Sequence, residues 1–185
     1  MLEAAVLLDR QGRLQGGSGV QLVLAAPRAL LSLAESIVRS RADLPRVVLL
    51  ESAERFEAYR AAQLALACSG TVNMELALAG TPQVAVYRTS WLTAWYIRAV
   101  LRPTVQHATL PNILAQEEVI PELLFERCAP EPIAAAAMRL LAEPPLREAQ
   151  RAALRSLLPR FGVFEDGELV PPSRVAARTL LRHLT

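Results

Sequence analysis

The sequence predicts an α/β fold, a doubly wound parallel sheet in one domain spanning residues 1–185. Three observations predict it. Short runs that are apolar throughout alternate with longer stretches of helical periodicity. Those runs do not alternate polar with apolar residues, so both faces of each strand are expected to be covered, as in parallel sheets. Finally, 185 residues with 52% hydrophobic content and a mean hydropathy of +0.26 suffice to bury one substantial core and argue against disorder.

Taken in order, a short helical pattern at Leu2–Asp9 opens the chain, and the glycine-rich QGRLQGGSG after it reads as a loop. Val20–Ala25, bounded by Gly19 and Pro27, is a first buried strand, and Arg28–Arg39 a helix. Val47–Leu50 gives a second strand, Ala53–Ala62 a helix, and Leu64–Cys68 a third strand. SGTVNMELALAG then reads as a turn, a helix and a glycine stop at Gly80. Gln83–Tyr87 is a fourth strand and Ser90–Leu101 an aromatic-rich helix. Beyond Pro103 the chain is expected to be extended as far as LPN, which puts Pro111 and Asn112 in a loop. Helices are expected at Val119–Phe125 and Pro132–Leu141. Within residues 142–185, Arg147–Leu158 and Ser173–Leu184 read as closing helices joined by the loop FGVFEDGELVPP.

Composition removes several function classes. A net charge of +2 is too small to argue for a nucleic-acid partner. All the basic side chains are arginine, whose planar fork suits phosphate. Cys68 and Cys128 have no metal-ligand spacing, and His107 and His183 lie far apart, so no metal is expected and the cysteines read as free thiols of a reducing compartment. No Ser–His–Asp constellation supports a hydrolase. The opening MLEAAVLLDRQGR lacks the basic start and long apolar core of a signal peptide, and no run nears the ~20 apolar residues of a membrane span. The expectation is a cytoplasmic protein, or one peripheral to the cytoplasmic face of the inner membrane.

CSGT is where chemistry concentrates. It follows a strand and opens a helix, where the first N–H groups have no partner and the helix dipole is positive. Ser69 or Thr71 can cap the helix, Gly70 allows a ligand to approach, and Thr71 can donate its hydroxyl. An ordinary N-cap before a core helix is the plainer reading of the tripeptide. Glu75 lies four residues beyond Thr71, on the same helical face, in an otherwise apolar helix. It can accept both hydroxyls of a ribose, or it can be a solvated glutamate near the helix start.

The segment SGTVNMELALAGTPQVAVYR resembles the SGT-x-x-x-E-x-x-x-x-G-x-P-x-V-x-x-YR segment of lipid A disaccharide synthases. TLPNILAQEEVIPELL resembles their following LPN-x-L and V-x-PE-L-L segment. Order and spacing agree from Leu64 to Leu124, with a weaker match from Val20 to Leu141. The resemblance implies a Rossmann-like domain, the C-terminal half of a GT-B glycosyltransferase. That family moves an acylated glucosamine from a UDP carrier to an acylated sugar-phosphate acceptor, with no cofactor besides the UDP-sugar substrate. It implies that Ser69, Gly70 and Thr71 meet the diphosphate and Glu75 the ribose. Tyr87, Arg88 and Asn112 would line the cleft, with Asn112 the catalytic candidate, and Glu122 would contribute to the sugar-nucleotide site. An Asx turn is the plain reading of Asn112, a surface ion pair that of Arg88, and a helix start that of Glu122.

Two departures stand against the pattern. Gln116-Glu117 occupies the place where family members often carry Gly-Arg, an exchange that weakens anion binding. The sequence also lacks the family's N-terminal acceptor domain and the first strand of the nucleotide domain, residues 1–19 reading only as the helix and loop that follow that strand. A degenerate, non-catalytic scaffold, the donor-binding subunit of a two-chain transferase and an epimerase-like relative are therefore carried as alternatives. Trp91 and Trp95, beside Tyr96, Arg98 and Arg102, suit either a membrane surface or packing on the sheet. A homo-oligomer, or a separate N-terminal-domain partner, and weak activity of the isolated chain are expected on the same ground.

Overall fold

A computed structural model describes residues 1–14, 19–68, 70–88, 107–160, 162, 164–165, 168–170 and 172–184. Its strands form a parallel pair and a parallel triplet, with a small antiparallel hairpin near the C-terminus. The predicted α/β class with parallel strands is what the chain adopts. The aromatic helix expected at Ser90–Leu101, with Trp91 and Trp95, lies outside the described residues.

Helix α1 (Leu2–Leu14) buries Ala4, Ala5, Val6 and Leu8. It continues well past Asp9, absorbing residues expected to be loop. Gly12 is tolerated there because Asp9 and Arg13, one turn apart, bond at 2.8 Å. The other Asp9 oxygen accepts from the Val20 amide at 2.8 Å, which ties the approach to the first strand back onto α1. Strand β1 (Leu22–Ala26) pairs in parallel with β2 (Val47–Glu51), and α2 (Leu31–Arg39) connects them. Helix α3 (Arg55–Ala61) leads to β3 (Ala65–Cys68), followed by α4 (Thr71–Ala79) and β4 (Gln83–Tyr87). Gly80 ends α4 in the left-handed region at φ 73°, a conformation cheap only for glycine.

β4 is the middle of the triplet, and its alternation explains the core. Val84 and Val86 point to one face, where they pack with Ala4 and Leu8 of α1 and with Ile133, Ala134, Ala137 and Leu140 of α6 (Pro130–Ala142). Ala85 points to the opposite face and joins Ala77 of α4, Ile120 and Leu154 of α7 (Pro144–Leu157). Burial on both faces is why the strand reads as an unbroken apolar run.

Three sequence expectations are corrected beyond β4. Pro111 and Asn112 are not in an extended loop. They form the first turn of a short helix, α5 (Leu110–Ala115), where a proline's missing N–H costs nothing. Val119–Phe125 is not helical, because Glu122–Leu124 forms β5, paired in parallel with β4 through Ala85↔Glu122, Val86↔Leu123 and Tyr87↔Leu124. A short apolar run cannot be assigned to helix or strand by periodicity alone, and here the open edge of β4 decides. The last loop contains a hairpin of β6 (Phe164–Glu165) and β7 (Glu168–Leu169) before α8 (Pro172–Leu184).

Candidate functional site

Because β3, β4 and β5 are parallel, their carboxyl ends lie on one edge of the sheet. The register sets Cys68 beside Val86 and Tyr87 beside Leu124. Gly70 and Thr71 leave from this edge after β3, Arg88 after β4 and Phe125 after β5. This is the edge where parallel α/β sheets bind ligands. Ser69 lies outside the described residues.

Gly70 sits just before α4 with φ 156° and ψ −160°, and a Cβ there would meet nothing within 4 Å. Among the described residues nothing fills the space beside Gly70, and Thr71 is exposed. Behind the turn, a buried amide network holds it rigid. The Gly70 N–H donates to Asn73 Oδ1 at 2.9 Å. Asn73 Nδ2 donates to Gln83 Oε1 at 2.9 Å, and Gln83 Nε2 returns a bond to the Asn73 carbonyl at 3.0 Å. Gln150 of α7 completes the network, accepting from the Gln83 N–H at 2.7 Å and donating to the Val119 carbonyl at 3.0 Å. Asn73, Gln83 and Gln150 are all buried. The Asn73 N–H bonds the Gly70 carbonyl at 3.2 Å, whereas the Thr71 and Val72 N–H groups have no acceptor within the helix, so they and the dipole favour an anion in front of the turn.

Glu75, one turn into α4, is half-buried and does not stand alone. Arg55 of α3 grips it with two bonds, Nε to Oε2 at 2.9 Å and Nη2 to Oε1 at 3.3 Å. The Tyr59 hydroxyl approaches Oε2 at 3.5 Å. The carboxylate raises the guanidinium pKa of Arg55 further above its ordinary range, and burial raises the Tyr59 phenol, so both remain protonated donors. At the end of β4, Tyr87 is exposed and meets Phe125 edge-on, with ring centroids 6.3 Å apart. Arg88, next in the chain, is exposed.

Asn112 and Glu122 are brought together, but inside the protein. Glu122 accepts from the Ala108 and Thr109 N–H groups at 2.8 Å each, from the Thr109 hydroxyl at 2.7 Å and from Asn112 Nδ2 at 2.8 Å. Asn112 also donates to the Ile120 carbonyl and accepts from the Ile120 N–H, both at 2.8 Å. Asn112 is 0% exposed and Glu122 6%. A carboxylate with four donors at the start of α5 complements the helix dipole and welds α5 to β5. In this arrangement the two side chains position a helix and offer no open group to a ligand.

The sequence reading missed Arg55, Tyr59, Asn73, Gln83 and Gln150. Asn73 carried a signal, since an amide three residues after a helix-opening turn has the spacing of a capping box. Arg55 carried none, because its partner lies 20 residues away. Among the described residues, no three His, Cys, Asp or Glu side chains come together as a metal site requires, and no helix is long and apolar enough to cross a membrane.

Comparison with known proteins agrees with the resemblance drawn from the motifs. Residues 23–159 match the family model described as Lipid-A-disaccharide synthetase. The lipid-A-disaccharide synthase of Rhodopseudomonas palustris is 36% identical over 183 residues, covering 97% of this chain and 45% of that protein. That of Nitrobacter winogradskyi is 40% identical over 138 residues, 75% of this chain and 34% of that protein. That of Prochlorococcus marinus is 35% identical over 168 residues, 88% and 41% respectively. The chain thus spans less than half the length of these curated relatives. With the family model matched over most of its length and relatives above 30% identity covering nearly all of it, the chain belongs to the lipid-A-disaccharide synthase family.

Proposed function

We propose that this domain is the donor-binding part of a lipid-A-disaccharide-synthase-type glycosyltransferase and holds a UDP-acylglucosamine-type sugar at the carboxyl edge of β3–β5. The observation that carries the reading is the Gly70–Thr71 turn, held from behind by Asn73, Gln83 and Gln150 and with Thr71 exposed, and with Glu75 one helical turn away. The diphosphate lies against the start of α4, where Thr71 donates its hydroxyl and Arg88 supplies positive charge. Glu75 accepts the ribose hydroxyls. Tyr87 lines the neighbouring strand end, and Ser69 belongs to the same loop. Asn112 and Glu122 act from behind by fixing α5 rather than by touching the sugar.

In the transfer step, an acceptor hydroxyl oxygen bonds the sugar's anomeric carbon as the bond from that carbon to the diphosphate breaks, and the hydroxyl proton leaves to solvent or to the departing UDP. The leaving diphosphate gains negative charge, which a helix N-terminus and an arginine such as Arg88 stabilise. The acylated acceptor is bound by groups other than Thr71, Glu75 and Arg88. The preference for uracil comes from family membership, and both substrates being acylated favours work at a membrane surface. Calorimetry with UDP and ADP tests the reading. UDP binds more tightly, and Glu75→Ala loses about 1.5–3 kcal/mol, as expected for hydrogen bonds to a charged group. No binding of UDP by the unaltered chain, or equal binding by Glu75→Ala, contradicts it.

A further inference from the structure

We propose that Arg55 is a positioning residue of the nucleotide site, fixing the Glu75 carboxylate in the orientation that meets the ribose hydroxyls. The inference rests on the donor-site reading above and extends it to a residue outside every recognised motif. A glutamate on an open helix face has three freely rotating side-chain torsions, and a ligand must freeze them to use it. Here they are already frozen. The Arg55 fork takes one acceptor position on each Glu75 oxygen, at 2.9 and 3.3 Å.

The fork is itself pinned. Its remaining nitrogen, Nη1, donates to the Ser52 carbonyl at 2.9 Å, and its central carbon lies 4.8 Å from the Phe56 ring centroid. Rotation of the guanidinium would break three bonds and a cation–π contact. Lysine, a point charge without a fork, cannot reproduce this.

The pair leaves room for a ligand. An ionised carboxylate offers about four acceptor positions. Among the described residues, Arg55 fills one on each oxygen and Tyr59 stands at a long 3.5 Å from Oε2. Among the described residues one position on Oε1 has no donor, and a hydroxyl can compete for the weakly held one on Oε2. The side chains of Arg55 and Glu75 are 35% and 31% exposed, so the free side of the carboxylate is accessible. An ion pair this exposed contributes little to stability, so its loss leaves the fold standing. Ser52 and Arg55 follow β2, whereas Glu75 follows β3. The orientation of the ribose acceptor is therefore set from the other strand pair.

The test is calorimetry of the 185-residue chain with UDP and with 2′-deoxy-UDP, folding of each variant being checked by thermal melting. The parent favours UDP by roughly tenfold, corresponding to about 1.4 kcal/mol. Arg55→Gln still binds but brings the two nucleotides to within about twofold of each other, and Arg55→Lys falls between. A purely structural role would weaken both nucleotides alike and leave their ratio unchanged. An Arg55→Gln protein with the parent's ratio, in a background where Glu75→Ala abolishes that ratio, overturns the positioning role and leaves the donor site intact. A parent that binds neither nucleotide overturns both. Should Arg55→Gln fail to fold, Arg55→Lys decides: a reduced ratio supports the role, and the parent's ratio refutes it.

Discussion

The β3–β4–β5 sheet and the β1–β2 pair are written in the same apolar language and are buried very differently. From Gln83 to Val86, β4 is sealed, with α1 and α6 on one face and α4 and α7 on the other. In β1, Val23 is 47% and Leu24 37% exposed, and α2 contributes no buried residue while leaving Leu33 and Ile37 exposed. An apolar run is thus a statement that a strand can be covered on two faces, not that it is. The rigid sheet carries the Gly70 turn, and the thinly covered pair supplies Arg55, which reaches across to Glu75.

That contrast sets the order of expected effects. Ile133→Ala, in the sealed core, should cost about 2–5 kcal/mol by cavity formation, and Leu33→Ala on α2 no more than about 0.5 kcal/mol. Chemical denaturation of the two variants makes the comparison, and equal losses would erase the distinction between the regions. Asn112→Ala comes next. It strands the Ile120 N–H and carbonyl and removes one donor from buried Glu122, for an expected loss of about 1–3 kcal/mol in the same measurement. A neutral Asn112→Ala that nevertheless abolished transfer in a reconstituted assay would return Asn112 to a direct part in the chemistry.

Hydrogen exchange should sharpen the contrast without mutation. Amides of β1 and β2 are expected to exchange by local opening well before those of β3 and β4. Matching protection in both would mean that the pair opens only with the whole domain. The smallest effect concerns Asp9. Its bonds to Arg13 and the Val20 amide hold its pKa below the ordinary 3.8. This stabilisation is therefore complete above about pH 4 and fades as the pH drops through the lowered folded value. Thermal melts of Asp9→Asn against the parent should therefore converge only in strong acid, and convergence near neutral pH would refute the assignment.

Much of the fold was legible because burial on two faces leaves a plain mark. Gln83–Tyr87 was read to the residue, and the Gly80 stop follows from its left-handed φ. What escaped depended on partners distant in sequence. β5 is three residues long and exists because β4 has an open edge. Asn112 reads as a cleft residue from its motif and sits inside because Glu122 and Ile120 claim its amide. The Gly70 turn and Glu75 were visible as local chemistry, whereas the Arg55 grip on Glu75 joins two helices that no local pattern connects.

A nucleotide diphosphate is expected to bind at the start of α4. Backbone amide shifts of isotope-labelled protein during a UDP titration test it most directly. The largest changes are expected on Gly70, Thr71 and Val72, with smaller ones at Glu75, Arg55 and Arg88, all saturating together. Saturable changes centred on β1–β2 or α8, with Gly70 and Thr71 unmoved, would contradict it.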